Sequence, residues 1–301
     1  MYKSERRILN RDTEDSTLQK LNYLSEGLSE AVNFGTHILA WDFERCKDDA
    51  YLPAIIFLRN FLDNIDAVTT LIKSSVVDPC YILLRAAFEN LVSFEYLFES
   101  GEKETDRAMG FMVWSQETNL KLMKKSDDRT SYYQVLKEKS QHDKVLKGKV
   151  PLIRKNADSD YLLSNQIYKS PKYKLAKEEF DRISSKKKYT NWYQLYDGPK
   201  NLKELAERAG YPALYEAYYE IWSMSTHGNP IVQSKIAEDP DGYAIIIPLR
   251  RYDHASVVTQ YCLNLCAAAF QSYVKKRLPD KFIYFSDWCS AMRSFNLSLR
   301  T

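Results

Sequence analysis

Apolar residues recur every three or four positions through most of this chain, and polar residues fill the positions between them. This period is that of an amphipathic helix, whereas strict alternation would indicate a strand. The pattern is clear from Ser16 onward, where Leu18, Leu21, Leu28 and Val32 lie on one helical face. The spacing predicts helices over residues 16–46, 50–74, 79–99, 104–125, 130–147, 170–184, 201–210, 212–227, 252–276 and 280–298.

One short stretch departs from the helical pattern. Residues 243–249, YAIIIPL, are rich in isoleucine and follow the turn sequence DPDG, which predicts a strand or a small hairpin. Glycine and proline are few, at nine and ten of 301 residues, which argues against a sheet fold with glycine-rich turns. The predicted fold class is therefore all-α: an antiparallel helical bundle with additional C-terminal helices and one small β-hairpin or strand near 243–249.

The predicted helices form one domain that carries an insertion. The core bundle takes up residues 15–125 and 201–298, where long amphipathic segments follow one another through short loops. Residues 126–200 are lysine-rich, contain Pro151 and Pro171, and lack long periodic segments. We therefore expect a single helical domain over residues 1–301 with a lysine-rich insertion at 126–200.

Charge and cysteine content narrow the class of protein. A net charge of +3 is too small to indicate a nucleic-acid binder by itself. The five cysteines show no CxxC spacing, which favours a reducing compartment. The first residues, MYKSERRILNRDTEDS, carry charges where a signal peptide has an apolar core. No uncharged apolar run approaches the ~18 residues of a membrane span, so we expect a cytoplasmic protein without membrane contact.

The predicted helix over residues 79–99 is apolar nearly all round but carries two charges, Arg85 and Glu89. Four residues apart, the two side chains share one face of the helix. Burial of a charge is costly unless the charge is paired. Two interpretations stay open: a structural ion pair that fixes the register of the helix, or part of a functional site.

His227 is one of only four histidines, and it stands where an aromatic helix meets the turn Gly-Asn-Pro. A histidine can donate and accept protons near neutral pH. The carbonyl groups at a helix C-terminus favour its protonated form. A histidine that only caps a helix or packs in the core needs no chemistry, and this is the alternative.

Three segments together resemble a known family. They are LLRAAFEN at 83–90, NWYQLYDGP at 191–199 leading into LKELAERAG, and SMSTHG at 223–228. Over residues 50–275 the chain resembles a bacterial all-helical family of unknown function that is distantly similar to the HEPN nucleases and abortive-infection proteins. HEPN nucleases cut RNA without a metal ion, using an arginine and a histidine a few residues apart on one helix, commonly at a dimer interface.

This resemblance implies catalytic roles for Arg85, Glu89 and His227. His227 matches the histidine of the family and would act as base or acid, but Ile-Trp-Ser at 221–223 leaves no arginine in the same helix. Arg85 would replace that arginine as a phosphate clamp if the fold brings the two helices together. Glu89 would then orient Arg85 or His227.

Residues 186–196, KKKYTNWYQLY, combine basic and aromatic side chains, which indicates a surface for RNA. Cations neutralise phosphates and aromatic rings stack on bases. The alternative is a solvated charged face whose rings pack on the bundle. The predicted RNA-binding residues are Lys186, Lys187, Lys188, Tyr189, Trp192 and Tyr193.

Two functions from different classes follow from these patterns. The first is a metal-independent endoribonuclease or toxin-like effector of HEPN type, with a role in phage defence. The second is a non-catalytic helical module that binds a protein, a nucleic acid or a small ligand. The expected partners are RNA, a second copy of the chain in a homodimer, and a protein partner or inhibitor. Because the chain has no P-loop, GxGxxG or HExxH motif, we expect no cofactor and no metal.

Overall fold

The computed structural model describes residues 3, 5–11, 14–46, 49–150, 161, 170–186, 190–226 and 235–298. Its first seven helices are α1 (Asp15–Phe43), α2 (Leu52–Lys73), α3 (Cys80–Leu97), α4 (Glu104–Ser126), α5 (Ser131–Gln141), α6 (Lys174–Ser184) and α7 (Leu202–Arg208). Helix α8 consists of Pro212–Leu214 and Glu220–Thr226, on either side of a π-helical turn at Tyr215–Tyr219. Helices α9 (Ala255–Arg277) and α10 (Phe282–Ser298) follow.

Strands β1 (Ile236–Glu238) and β2 (Ala244–Ile246) form an antiparallel pair in which Ala237 lies opposite Ile245. The predicted all-α fold with one small hairpin is thus confirmed. Most helices end within a few residues of their predicted ends. The largest difference is the helix predicted over 130–147, which ends at Gln141.

The described helices group into two units, Met1–Glu99 with Leu202–Thr301 and Ser100–Asn201. In the first unit α1, α2 and α3 pack in succession, and α9 lies against all three. Helices α7 and α8 pack on α3. No helix of the described ranges is both long and apolar enough to cross a membrane. The core of this unit contains the fully buried side chains of Leu28, Ile38, Ala54, Ile65, Val68, Leu84, Phe88 and Phe270.

The second unit is built around α4. This helix packs against α6 and against a short 3-10 turn at Trp192–Gln194. The ring of Phe111 on α4 meets Trp192 edge-on, with ring centroids 5.6 Å apart. The apolar spacing predicts α4 as part of the core bundle with α1–α3, whereas its contacts group it with residues 100–201.

A buried ion pair joins the end of α1 to the end of α9. Arg277 donates from Nε to Asp42 Oδ2 at 2.6 Å and from Nη2 to Asp42 Oδ1 at 2.8 Å. The hydroxyl of Tyr273 donates to the same carboxylate at 2.6 Å. The side chains of Arg277 and Asp42 are only 5% and 2% exposed, so neither charge has water as an alternative partner. The pair is therefore a structural tie in which the arginine binds both carboxylate oxygens.

We expect Asp42→Ala to lower the free energy of unfolding by about 3–5 kcal/mol, because the guanidinium of Arg277 would stay buried without a counter-charge. Asp63→Ala is the matched control, since Asp63 pairs with Arg59 on the surface of α2, where both side chains are more than half exposed. That change should cost less than about 1 kcal/mol. Urea denaturation of both variants measures the difference, and equal losses would contradict a structural role for Asp42.

Candidate functional site

The two charges of α3 lie together on the side of the helix that faces α8. Arg85 donates from Nε to Glu89 Oε1 at 2.9 Å. Their side chains are 22% and 40% exposed, so the pair is half-buried and partly open to solvent. Burial acts to lower the pKa of Arg85, but the hydrogen bond to Glu89 and the neighbouring charges outweigh it, and the net shift is upward. The guanidinium therefore stays charged.

Tyr219 of α8 completes this cluster and was not predicted from the sequence. Its hydroxyl accepts a hydrogen bond from Arg85 Nε at 2.9 Å and donates one to Glu89 Oε1 at 2.8 Å. The guanidinium carbon of Arg85 lies 5.0 Å from the centroid of the tyrosine ring, within the range of a cation–π interaction. Burial, and then the charge of Glu89, raise the pKa of Tyr219 well above its ordinary value. The phenol therefore remains a proton donor at neutral pH.

The π-helical turn at Tyr215–Tyr219 holds the ring of Tyr219 in place. Tyr215 stacks on Tyr219 with ring centroids 4.8 Å apart and an interplanar angle of 15°. Phe88 of α3 contacts the same ring at 5.9 Å. A π-turn changes the rotation of the helix locally, and such turns are frequent at functional sites. Here the turn sits at the residue whose hydroxyl joins Arg85 to Glu89.

One nitrogen of the Arg85 guanidinium has no hydrogen-bond partner among the described residues. This atom, Nη1, is buried. Buried polar groups are nearly always paired, and an unpaired one calls for an explanation. Arg277 shows the contrasting arrangement, since its Nε and Nη2 bind the two oxygens of Asp42. Nε anchors Arg85 to Glu89 and Tyr219. Because the side chain is still 22% exposed, its guanidinium is oriented and partly open to an anionic ligand such as a phosphate.

The third predicted catalytic residue, His227, lies outside the described residues. A different histidine contacts the same face of α3, one turn before Arg85. The hydroxyl of Tyr81 lies 3.4 Å from Nδ1 of His254, and His254 Nε2 lies 3.5 Å from an oxygen of Asp253. His254 could not be predicted as a neighbour of α3, because nothing in its sequence neighbourhood indicates that the start of α9 meets the start of α3.

The predicted RNA-binding segment is described only in part, since Lys187, Lys188 and Tyr189 lie outside the described residues. Lys186 is exposed just beyond the end of α6. Trp192 is only 5% exposed, so its ring belongs to the core of the second unit and is not free to stack on a base. Tyr193 is half-buried, and its hydroxyl accepts a hydrogen bond from Asn191 at 3.0 Å.

The described residues contain no group of three or more histidine, cysteine, aspartate or glutamate side chains that could hold a metal ion. The donors brought together at Arg85 are instead a guanidinium, a carboxylate and a phenol. The guanidinium can donate hydrogen bonds to an anion, and the carboxylate and the phenol hold the guanidinium in place.

Residues 51–243 match the model of a family of unknown function, DUF5677. Because the match covers more than half of the chain, the chain belongs to this family. The matched range includes Arg85, Glu89 and Tyr219. No curated protein and no solved structure matches the chain.

We expect Tyr219→Phe to lower the free energy of unfolding by about 1–2 kcal/mol, because it removes a hydroxyl that bonds to two charged groups. Tyr215→Phe is the matched control: it changes the neighbouring ring in the same turn, and the Tyr215 hydroxyl makes no hydrogen bond with a described residue. Chemical denaturation of both variants tests this. An equal effect of the two substitutions would contradict the proposed bridge between Arg85 and Glu89.

Proposed function

We propose that this protein binds RNA at Arg85 and cleaves it without a metal ion, as its distant resemblance to the HEPN nucleases implies. The observation that supports the proposal is the partly exposed guanidinium of Arg85, whose Nη1 has no acceptor among the described residues. A phosphodiester oxygen is an acceptor of the right charge, and the planar guanidinium suits phosphate geometry. Glu89 and Tyr219 hold the guanidinium in place before RNA arrives.

In the proposed reaction the ribose 2′-oxygen attacks the adjacent phosphorus. A new bond forms between phosphorus and the 2′-oxygen, and the bond from phosphorus to the 5′-oxygen breaks. The products are a 2′,3′-cyclic phosphate and a 5′-hydroxyl. A base accepts the 2′-hydroxyl proton, an acid protonates the leaving 5′-oxygen, and a cation stabilises the charge on the phosphate. Arg85 is the cation, and His227 transfers a proton.

The proposal extends to the biological role that the resemblance implies. The protein would act in the cytoplasm as a toxin-like effector in phage defence. It would form a homodimer or respond to a protein partner or inhibitor. Lys186 and its basic neighbours in the sequence would attract the RNA backbone, without base stacking by Trp192.

The second candidate function is a non-catalytic binding module. Two other arginine–carboxylate pairs of the first unit support it. Arg208 binds Glu99 of the chain segment after α3 and lies over the ring of Tyr96, and Arg277 binds Asp42. Such pairs stabilise the bundle and carry out no reaction. By analogy, the pair of Arg85 and Glu89 would hold the helix in place and bind an anion without cleaving it.

We expect the purified protein to cleave single-stranded RNA in the presence of a metal chelator and to leave 2′,3′-cyclic phosphate ends. Arg85→Lys keeps the charge but loses the planar fork, and the rate should fall about 10²–10³-fold. Arg208→Lys is the matched control, because Arg208 makes an arginine–carboxylate contact near the same helix. Its rate should stay unchanged. Gel separation of end-labelled RNA gives the rates and the ends.

Two histidine variants show which residue transfers the proton. His227→Ala should slow cleavage about 10²–10⁴-fold, whereas His254→Ala should leave the rate near that of the intact protein. RNA binding that weakens in Arg85→Lys, without cleavage by the intact protein, would favour the binding module. If the intact protein neither binds nor cleaves RNA, the result would contradict both the nuclease and an RNA-binding module.

A further inference from the structure

A polar pocket lies in the first unit, between the start of α1 and the end of α2. It has a volume of about 460 Å³, which is within the range of small-molecule sites. Three cations line it: Arg11 before α1, Lys73 in the last turn of α2, and Arg250 after β2. Ser74 and Ser75 add two hydroxyl groups.

Backbone hydrogen bonds bring these distant parts of the chain together. The amide of Leu249 donates to the carbonyl of Ile8 at 2.7 Å, and the amide of Arg251 donates to the carbonyl of Ser75 at 3.1 Å. Arg250 stands between these two bonds and is thereby held beside both the N-terminal segment and the end of α2. Ser75, two residues after the end of α2, takes the left-handed conformation with φ of 58°. These bonds therefore fix the side of the pocket that carries Arg250 and Ser75.

The three cations of the pocket are not held in ion pairs within the described part of the chain. Neither Arg11, Lys73 nor Arg250 forms an ion pair with a described residue. Their neighbours differ in this respect, since Arg7 pairs with Glu5 and Arg251 pairs with Asp253. No acidic side chain is among the described residues that line the pocket. Three like charges around one cavity repel each other, and an anion would relieve this repulsion.

The pocket also has an apolar side. Besides the charged groups, the apolar side chains of Leu18 and Leu21 of α1 line the pocket, and Leu21 is buried. A free inorganic ion would leave this surface unused. A ligand with a phosphate end and a less polar body would use both kinds of surface, because buried apolar area adds to the charge-assisted hydrogen bonds.

We propose that this pocket binds a phosphorylated small molecule with two or more negative charges. Its phosphate groups lie among Arg11, Lys73 and Arg250 and accept hydrogen bonds from the serine hydroxyls. Its carbon skeleton lies against the two leucines. This site is separate from Arg85 and does not depend on the function proposed there.

Calorimetric titration of the full chain with ADP at low ionic strength tests the site. We expect saturable binding, and adenosine, which lacks the phosphates, should bind at least about tenfold more weakly. Arg250→Gln and Lys73→Gln should each weaken ADP binding about tenfold, because each removes a charge-assisted hydrogen bond. Lys20→Gln is the matched control, since Lys20 is exposed on α1 and does not line the pocket. It should change the affinity less than about twofold.

Three outcomes would overturn the inference. The first is the absence of saturable ADP binding. The second is an equal loss of affinity in Lys20→Gln and Arg250→Gln, which would indicate attraction by net charge alone. The third is loss of ADP binding in Arg85→Gln but not in Arg250→Gln, which would assign the nucleotide to the Arg85 site. The RNA experiments are independent of all three, so the two proposals fail separately.

Discussion

Burial of α3 is the constraint on which the first unit depends. This helix packs against α2, α7, α8 and α9, and Leu84, Ala87 and Phe88 are fully buried. A charge on such a helix needs a partner, because an unpaired buried charge destabilises the fold. Arg85 and Glu89 pair with each other on α3, and Tyr219 of α8 adds a hydrogen bond to each. The cluster is therefore a product of packing, and packing leaves Nη1 of Arg85 without a partner among the described residues.

The fold could be predicted from the sequence because amphipathic helices carry their own period. Helices α2, α3, α4 and α10 begin and end close to where the apolar spacing predicts. The partners of a helix are harder to predict, because an apolar stripe does not specify which stripe it meets. For this reason the sequence did not indicate that α4 packs in the second unit. The hairpin could be predicted because the turn residues DPDG precede an isoleucine-rich run, although each of its strands has only three residues.

The candidate site could be predicted only where its residues are neighbours in one helix. Arg85 and Glu89 stand four positions apart on an apolar helix, which is visible in the sequence. Tyr219 is one of three tyrosines in Tyr215–Tyr219, and the π-turn that decides which of them faces α3 leaves no mark in the sequence. Trp192 shows the opposite failure: composition indicated an RNA-binding ring, but burial depends on tertiary packing.

If the guanidinium of Arg85 binds a phosphate, the NMR signals of its nitrogen atoms must shift when RNA binds. The direct measurement is nitrogen NMR of the arginine side chains during titration with a 2′-O-methyl RNA, whose blocked 2′-oxygen prevents cleavage. Arg85→Lys identifies the signals of Arg85. We predict that these signals shift saturably while those of Arg208, which already binds Glu99, stay in place. Signals of Arg85 that do not change at saturating RNA would contradict phosphate binding at this site.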